Sequence, residues 1–589
     1  MQCGVDSGGT FTDAVADDGR VVKVSSTPAD PARSVAEATQ RLRQTQSVEV
    51  LAHGTTVATN ALLERRGAKV ALVATRGFSD VIEIARQVRP SLYDPFADRT
   101  PPLVPRELRF EVSGRLDGRG KELEPFDGRV PELPDGVDAV AVCLLHADLD
   151  PRHERAVRDA LRAAGQENIV CSHDVSPEYR EYERMATTVT DAYLQPVCTP
   201  YLRRLQPLAR EVLVMTSAGG LVRAEEAAAR PASLLLSGPA GGVWAAAVIA
   251  AACGYPDVVT LDMGGTSTDV CLVSGGVPEP SPQRVVAGLP LRLPSLDIHT
   301  IGAGGGSIGR IDPGGALVVG PHSAGAWPGP AAYRRGGDEP TVTDADLVLG
   351  RIPADAPFPD LGRLDAAAAR RALAQARVDA EGMVRVVDAS MERAVRVVTV
   401  QRGVDPRELA LVAFGGAGPL HACAVADALG MKTVIVPPRA GVCSAVGLVC
   451  SPRRRDIVRS FAGGDLTAAL EEIQQEARTL VSATATVETA VDCRYVGQSH
   501  ELTVPEPDDF PAAHARRNGH ARPGAPVEVV AVRAHATAPA PMAVTDLPDV
   551  VRHRVVGPAV VTEPDCTMWV PDGWRAEPRE LGAWVLTRT

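Results

Sequence analysis

One eight-residue pattern occurs twice in this chain and restricts what it can be. Asp6-Ser-Gly-Gly-Thr-Phe-Thr-Asp13 and Asp262-Met-Gly-Gly-Thr-Ser-Thr-Asp269 agree at six of eight positions, and their leading aspartates lie 256 residues apart. Short apolar runs of strand character flank each copy, so the local form is a β-hairpin with a glycine-rich tip rather than strand, loop and helix. Turn chemistry explains Asp and Gly, but it does not dictate Thr-x-Thr-Asp behind the glycines. Paired glycines let backbone N–H groups approach a phosphate closely, and threonines add hydroxyl donors. The leading Asp can accept hydrogen bonds from water held by Mg²⁺. Two such hairpins facing each other would clamp a triphosphate from both sides. Phosphoryl transfer asks mainly for that positioning and charge neutralisation.

A chain of 589 residues is too long for one core and predicts three or four domains. Helix periodicity over 32–43, 151–164 and 176–208 alternates with strand signals at 69–74, 138–145, 212–215 and 409–414, which predicts an α/β fold. The segment 89–132, rich in Pro, Gly and charge, reads as a loop excursion, and a composition shift at 450–465 sets off the tail. A formal net charge of -12 without a strong basic cluster argues against nucleic acid as a partner. Eleven scattered cysteines predict reduced thiols. No apolar run is long enough for a bilayer, and Asp6 leaves no room for a signal peptide, so the expectation is a cytoplasmic protein with no membrane contact.

Other segments offer chemistry. His53-Gly-Thr-Thr-Val-Ala-Thr-Asn60 brings an imidazole, threonine hydroxyls and an amide into eight residues. His53, Thr55, Thr56 and Asn60 are candidates to touch a substrate or a terminal phosphate. Arg86 could neutralise a carboxylate or phosphate. Asp297 and His299 share one face of a strand and form a candidate metal pair. His421 reads as a helix-start residue.

Taken together, the paired loops resemble the two phosphate loops of the superfamily that holds actin, the sugar kinases and the heat-shock ATPases. More narrowly, the chain resembles the hydantoinase A / 5-oxoprolinase family, which includes ATP-handling subunits of acetone and acetophenone carboxylases. The resemblance rests on residues 53–60, Gly77-Phe78 through Arg86-Gln87, Ser237-Gly-Pro-Ala-Gly-Gly242, Asp297-Ile-His299, Gly302-Ala-Gly-Gly-Gly-Ser307, Pro328-Gly-Pro330, Thr341-Val-Thr-Asp-Ala345 and Phe414-Gly-Gly-Ala-Gly-Pro419. It is close over residues 3–455 and weaker beyond. It implies two actin-like (ribonuclease H-like) ATPase domains with the nucleotide between them, plus a smaller β-rich C-terminal domain. The implied divisions are 1–175, 176–455 and 465–589. ATP and Mg²⁺ are the implied cofactors. Asp6 and Asp262 would organise the metal and its waters. Gly8, Gly9, Thr10, Thr12, Gly264, Gly265, Thr266 and Thr268 would hold phosphates, with Asp13 and Asp269 supporting the loops. Ser237, Gly238, Gly241 and Gly242, with Gly415, Gly416 and Gly418, would hold the adenosine side.

The implied activity is ATP-dependent phosphorylation of a carbonyl or enol oxygen in a small cyclic amide or ketone. Hydrolysis or carboxylation would follow with a hydantoinase B-type subunit in a hetero-oligomer. A nucleotide-switched regulatory or scaffolding ATPase is the alternative. The sequence departs from the family at Ala332, where a Cys is usual, at Ser217-Ala218, where an acidic residue or Asn precedes the glycine pair, and at 510–519.

Overall fold

The computed structural model describes residues 1–27, 29–43, 46–281, 283–356 and 361–589. Each doubled loop sits at the tip of an antiparallel hairpin, and each hairpin begins the same five-stranded arrangement. In the first half, β1 (Gln2–Ser7), β2 (Phe11–Ala16), β3 (Val21–Ser25), β4 (Val50–Thr55) and β5 (Glu211–Met215) stand in the order β3-β2-β1-β4-β5. In the second, β6 (Val258–Met263), β7 (Thr268–Ser274), β8 (Val277–Pro278), β9 (Ala410–Phe414) and β10 (Thr433–Val436) repeat it as β8-β7-β6-β9-β10. The first three strands of each set are antiparallel, and the last two run parallel to the hairpin's first strand. The central strands are nearly continuous Val, Leu, Ala and Ile because helices cover both faces. This is the mixed α/β, twin actin-like architecture that the resemblance implied.

The sheets cross two of the expected divisions. Strand β5, which completes the first sheet, lies beyond residue 175, after the long helix Glu181–Leu205. The tail pairs Ala559–Thr562 with Thr567–Val570 as a small sheet of its own, but most of its strands join the two large sheets. Arg453–Ser460, Val527–Ala538, Thr486–Tyr495 and Leu502–Val504 extend the first sheet, and Trp584–Arg588 and Trp574–Pro578 extend the second. Buried Ile473, Tyr495 and Phe510 give its first part a local core. Between β4 and β5 the chain builds a side lobe on a parallel sheet of Ile169–Cys171, Ala139–Cys143, Val70–Thr75 and Arg109–Val112. That sheet absorbs part of the excursion expected at 89–132.

Four helices shape the space between the halves: α1 (Val57–Leu63), α2 (Gly238–Ala252), α3 (Gly418–Leu429) and α4 (Cys443–Cys450). Helices α2 and α4 cross backbone to backbone. A Cβ on Gly447 would overlap the Gly241 carbonyl, and one on Gly241 would lie 2.9 Å from Ser444 O. The close approach explains the apolar small-residue run of α2.

A candidate nucleotide cleft

The two hairpin tips meet at a cleft of about 280 Å³. Each tip closes with a tight turn, Gly8 N–H donating to Phe11 O at 3.0 Å and Gly264 N–H to Ser267 O at 3.1 Å. The tips nearly touch, since a Cβ on Gly265 would sit 3.2 Å from Thr10 Oγ1. Strand alternation then sorts the motif. Phe11, Asp13, Ser267 and Asp269 line the cleft, whereas Thr12 and Thr268 are buried on the opposite face. Thr12 Oγ1 bonds Ser34 Oγ at 3.0 Å, and Thr268 Oγ1 donates to Ala303 O at 2.6 Å. Thr12 and Thr268 therefore brace the loops, and Asp13 and Asp269 face the ligand space, reversing the expected roles. Register requires this: Asp6 pairs with Asp13 and Asp262 with Asp269, and cross-strand partners share a face. Gly8, Gly9, Thr10, Gly264, Gly265 and Thr266 line the cleft as expected.

Four carboxylates thus converge from two hairpins. Burial, then Asp13, pushes the Asp6 pKa up to about 7 against the pull of Lys23. Burial, Asp269 and Asp6 hold Asp262 well above the carboxylate range, and burial takes Asp269 up to about 6. Asp6 Oδ1 is buried without a hydrogen-bond partner. Asp262 Oδ2 accepts from Ser444 Oγ at 3.4 Å. Lys23, on β3, is the one basic residue among the described residues that line the cleft; its Nζ lies 2.6 Å from Asp13 and 5.3 Å from the centre of the Phe11 ring. Meanwhile α2, α3 and α4 all direct N-termini here, through Gly238, Ala417 and Ser444. Helix N-termini favour an anion, and crowded buried carboxylates favour a cation. A metal-bound phosphate answers both demands, and the orphaned Asp6 oxygen fits a group held through water.

The far end of the cleft is a wall that sequence reasoning missed. Tyr333, Ile352, Ala356 and Leu420 give it flat apolar surface, with Gly415 and Gly416 alongside. Asp346 also lines it, buried, with Oδ1 accepting no hydrogen bond. Behind Asp346 lies His421, its Nε2 at 3.3 Å and its Nδ1 at 2.8 Å from Asp388. Burial opposes the imidazolium, yet Asp346 and Asp388 raise its pKa to about 10. His421 thus places a positive charge behind Asp346 without itself lining the cleft. The tail contributes Glu563, Asp565 and Thr567, and Asp565 accepts from Gly441 N–H at 2.7 Å. These residues come from segments far apart in sequence.

Several expected site residues lie elsewhere. His53 is fully buried, bonded to Val5 O at 2.9 Å and Tyr201 Oη at 2.6 Å, and burial lowers its pKa to about 4. As the β4 residue beside Val5, it belongs to the sheet core. Thr55 is buried beside Tyr201 and Asn60 is exposed. From that segment Thr56 alone reaches the cleft. Arg86 grips Glu183 with both ends of its guanidinium, Nε lying 2.8 Å from Oε1. Asp297 is paired with Arg402, and among the described residues neither it nor His299 belongs to a cluster of three metal-ligating side chains. Ser237 is buried behind Gly238, while Gly241 and Gly242 serve the helix crossing and Gly418 packs against Leu261. Gly238, Gly415 and Gly416 remain from the adenosine-side set.

Residues 2–165 match the model of the hydantoinase/oxoprolinase N-terminal region, and residues 184–457 match that of hydantoinase/oxoprolinase. The chain belongs to the hydantoinase/oxoprolinase family. Among its relatives, caprolactamase subunit alpha of Pseudomonas jessenii is 32% identical, covering 99% of this chain and 98% of the relative. 5-Oxoprolinase 1 of Arabidopsis thaliana is 35% identical over 75% of this chain, which spans 41% of that longer protein. Acetophenone carboxylase gamma subunit of Aromatoleum aromaticum is 33% identical over 75% of this chain and 67% of its own length. The crystal structure of the ATP-dependent caprolactamase superposes with a TM-score of 0.82 over the whole of both chains at 28% identity. Among the described residues no helix is long and apolar enough to cross a membrane.

Proposed function

We propose that this chain is the ATP-handling subunit of a hydantoinase/oxoprolinase-type enzyme that activates a small cyclic amide or ketone for hydrolysis or carboxylation. The facing aspartate hairpins at the meeting point of three helix N-termini carry this reading. Adenine lies against Tyr333, Ile352 and Leu420, and Asp346 accepts from a ribose hydroxyl. The phosphates run toward the hairpin tips, where Thr10, Thr266 and the backbone of Gly8, Gly9, Gly264 and Gly265 donate to them. Asp6 and Asp262 would hold Mg²⁺, which would supply neutralising charge to the transferring phosphoryl group. Lys23 steadies the terminal phosphate. The substrate's carbonyl oxygen attacks the γ-phosphorus, the bond to the β-phosphate breaks and ADP leaves. The phosphorylated oxygen is then a leaving group, which the parent amide lacks.

The relatives named as subunits support a multi-subunit enzyme, and we assign the completing step to a hydantoinase B-type partner. The cytoplasm is the compartment that supplies ATP. Measuring ADP release by the purified chain, with and without such a partner, across hydantoins, 5-oxoproline, larger lactams and ketones with bicarbonate tests the reading. Substrate-stimulated, Mg²⁺-dependent turnover is expected. ATP turnover indifferent to every candidate would overturn it and favour the scaffolding alternative.

A further inference from the structure

A second cavity, of about 490 Å³, lies where the helix Glu181–Leu205, the turn Pro231–Leu234 and the strand Arg453–Ser460 converge. Thr216, directly after β5, lines it, so it opens at the same edge of the first sheet as the cleft, beyond β4 and β5. Most charges on its wall are matched. Arg292 pairs with Glu178 at 2.6 Å, Arg454 with Asp456 at 2.7 Å, and Arg459 with Glu476.

Asp191, Arg230 and Arg455 are less fully partnered. Asp191 is fully buried; its Oδ1 accepts from Ala232 N–H at 2.9 Å, and its Oδ2 has no partner. Among the described residues Arg230 reaches no carboxylate within 4.0 Å. Arg455 reaches only Glu226, at 3.6 Å, and its Nε is unpartnered. Burial and then Arg455 work against the charge of Arg230, and Asp191 supports it. Two guanidiniums thus repel each other and the Asp191 carboxylate offsets them only in part, which leaves excess positive charge and one unused carboxylate oxygen on the wall. A ligand with an anion for the arginines and an N–H for Asp191 would relieve all three. Asp191 excludes a phosphate dianion, whose added charge it repels.

We propose that this cavity binds a small carboxylate bearing an amide N–H, with Arg230 and Arg455 on the carboxylate and Asp191 on the N–H. The inference does not rest on the nucleotide reading. Burial pushes the Asp191 pKa up to about 7, so it holds a proton weakly near neutrality and accepts strongly once ionised.

Calorimetric titration of the full chain with N-acetylglycinate, butyrate and inorganic phosphate tests it. N-acetylglycinate should bind tightest, with butyrate about tenfold weaker for want of the N–H and phosphate weakest. Arg230→Gln should weaken N-acetylglycinate at least about tenfold, and Asp191→Asn should remove its advantage over butyrate. Arg455→Gln, at a more accessible position, repeats the test if Arg230→Gln does not fold, and unchanged ADP binding reports an intact fold. Absence of binding, phosphate binding as tightly as N-acetylglycinate, or arginine variants that keep full affinity would overturn the proposal. A native chain that fails to bind ADP would sink the nucleotide reading and leave this one standing.

Discussion

The two halves share strand order, hairpin register and loop sequence, yet they treat their second aspartate differently. In the first half β3 is long enough to bring Lys23 opposite Asp13, and the pair is closed at 2.6 Å. In the second, β8 has two residues and stops short, so Asp269 is instead held by Thr300 Oγ1 at 2.5 Å. A length difference in one edge strand thereby gives one tip a cation and the other a neutral hydroxyl. The strand that follows differs too. β4 leads to Thr55 and Thr56, side chains with hydroxyls; β9 leads to Gly415 and Gly416, bare backbone. On the proposed reading the first half handles charge and the second lies against base and ribose. The two halves share a frame, and their edges differ.

Substitutions can break this comparison. The largest effect falls on the shared residue. Asp6→Asn and Asp262→Asn should each cut substrate-stimulated ADP release by roughly 10³-fold, and a tenfold disparity between them would show that one hairpin alone carries the metal. Next come the distinguishing residues. Lys23→Met should lower kcat about 10–100-fold with little change in KM for ATP, while Thr300→Val changes either less than about threefold. Equal losses would erase the assigned asymmetry.

A third pair concerns the space left for each aspartate. A Cβ on Gly54 would come to 2.7 Å from Asp6 Oδ1, and one on Gly415 would overlap Asp262 Oδ1. Gly415 also has φ +80°. Gly415→Ala should therefore cost about 2–4 kcal/mol of stability in denaturant titration and Gly54→Ala about 1–2. Gly416→Ala, with open space around it, should cost less than about 1 kcal/mol.

The last effect is pH-linked. Asp6 at about 7 and Asp269 at about 6 lie above the ordinary 3.8, so the folded chain holds protons that the unfolded chain has released. Without divalent cations stability should fall as pH rises from about 4 to about 7, by on the order of 2 kcal/mol. Added Mg²⁺ should restore it at the upper end and do little at the lower. Asp6→Asn should flatten the slope, and a chain whose stability rises through that window would contradict the electrostatic picture.

Much of the frame was legible because hairpins are local. Alternation from Val5 to Ala16 and from Leu261 to Val273 fixes strands, turn and tip without any distant information. What the sequence concealed was which polar residues face inward. His53 looked reactive because imidazole, hydroxyl and amide cluster there, but parallel pairing with Val5 turns the ring into the core. Gly241 and Gly242 looked like a ligand loop, whereas their missing side chains admit helix α4. Conversely Asp346, Glu563 and Asp565 carry no local mark, since only tertiary packing brings residues 346 and 565 to the cleft. The same holds for Lys23, an ordinary strand residue until its register with Asp13 is known.

The path of the chain between the sheets has a mechanical consequence. It passes from the first sheet to the second through α2, returns through α4, and crosses again between Ala538 and Val555. Bodies tied by one tether can twist freely; tied at three places, they retain essentially one rotation. The glycine contact of α2 with α4 lies at two of those ties and acts as a narrow pivot. Closing the jaws on ATP and releasing ADP are then opposite strokes of one axle, and the tail that carries Asp565 must travel with them.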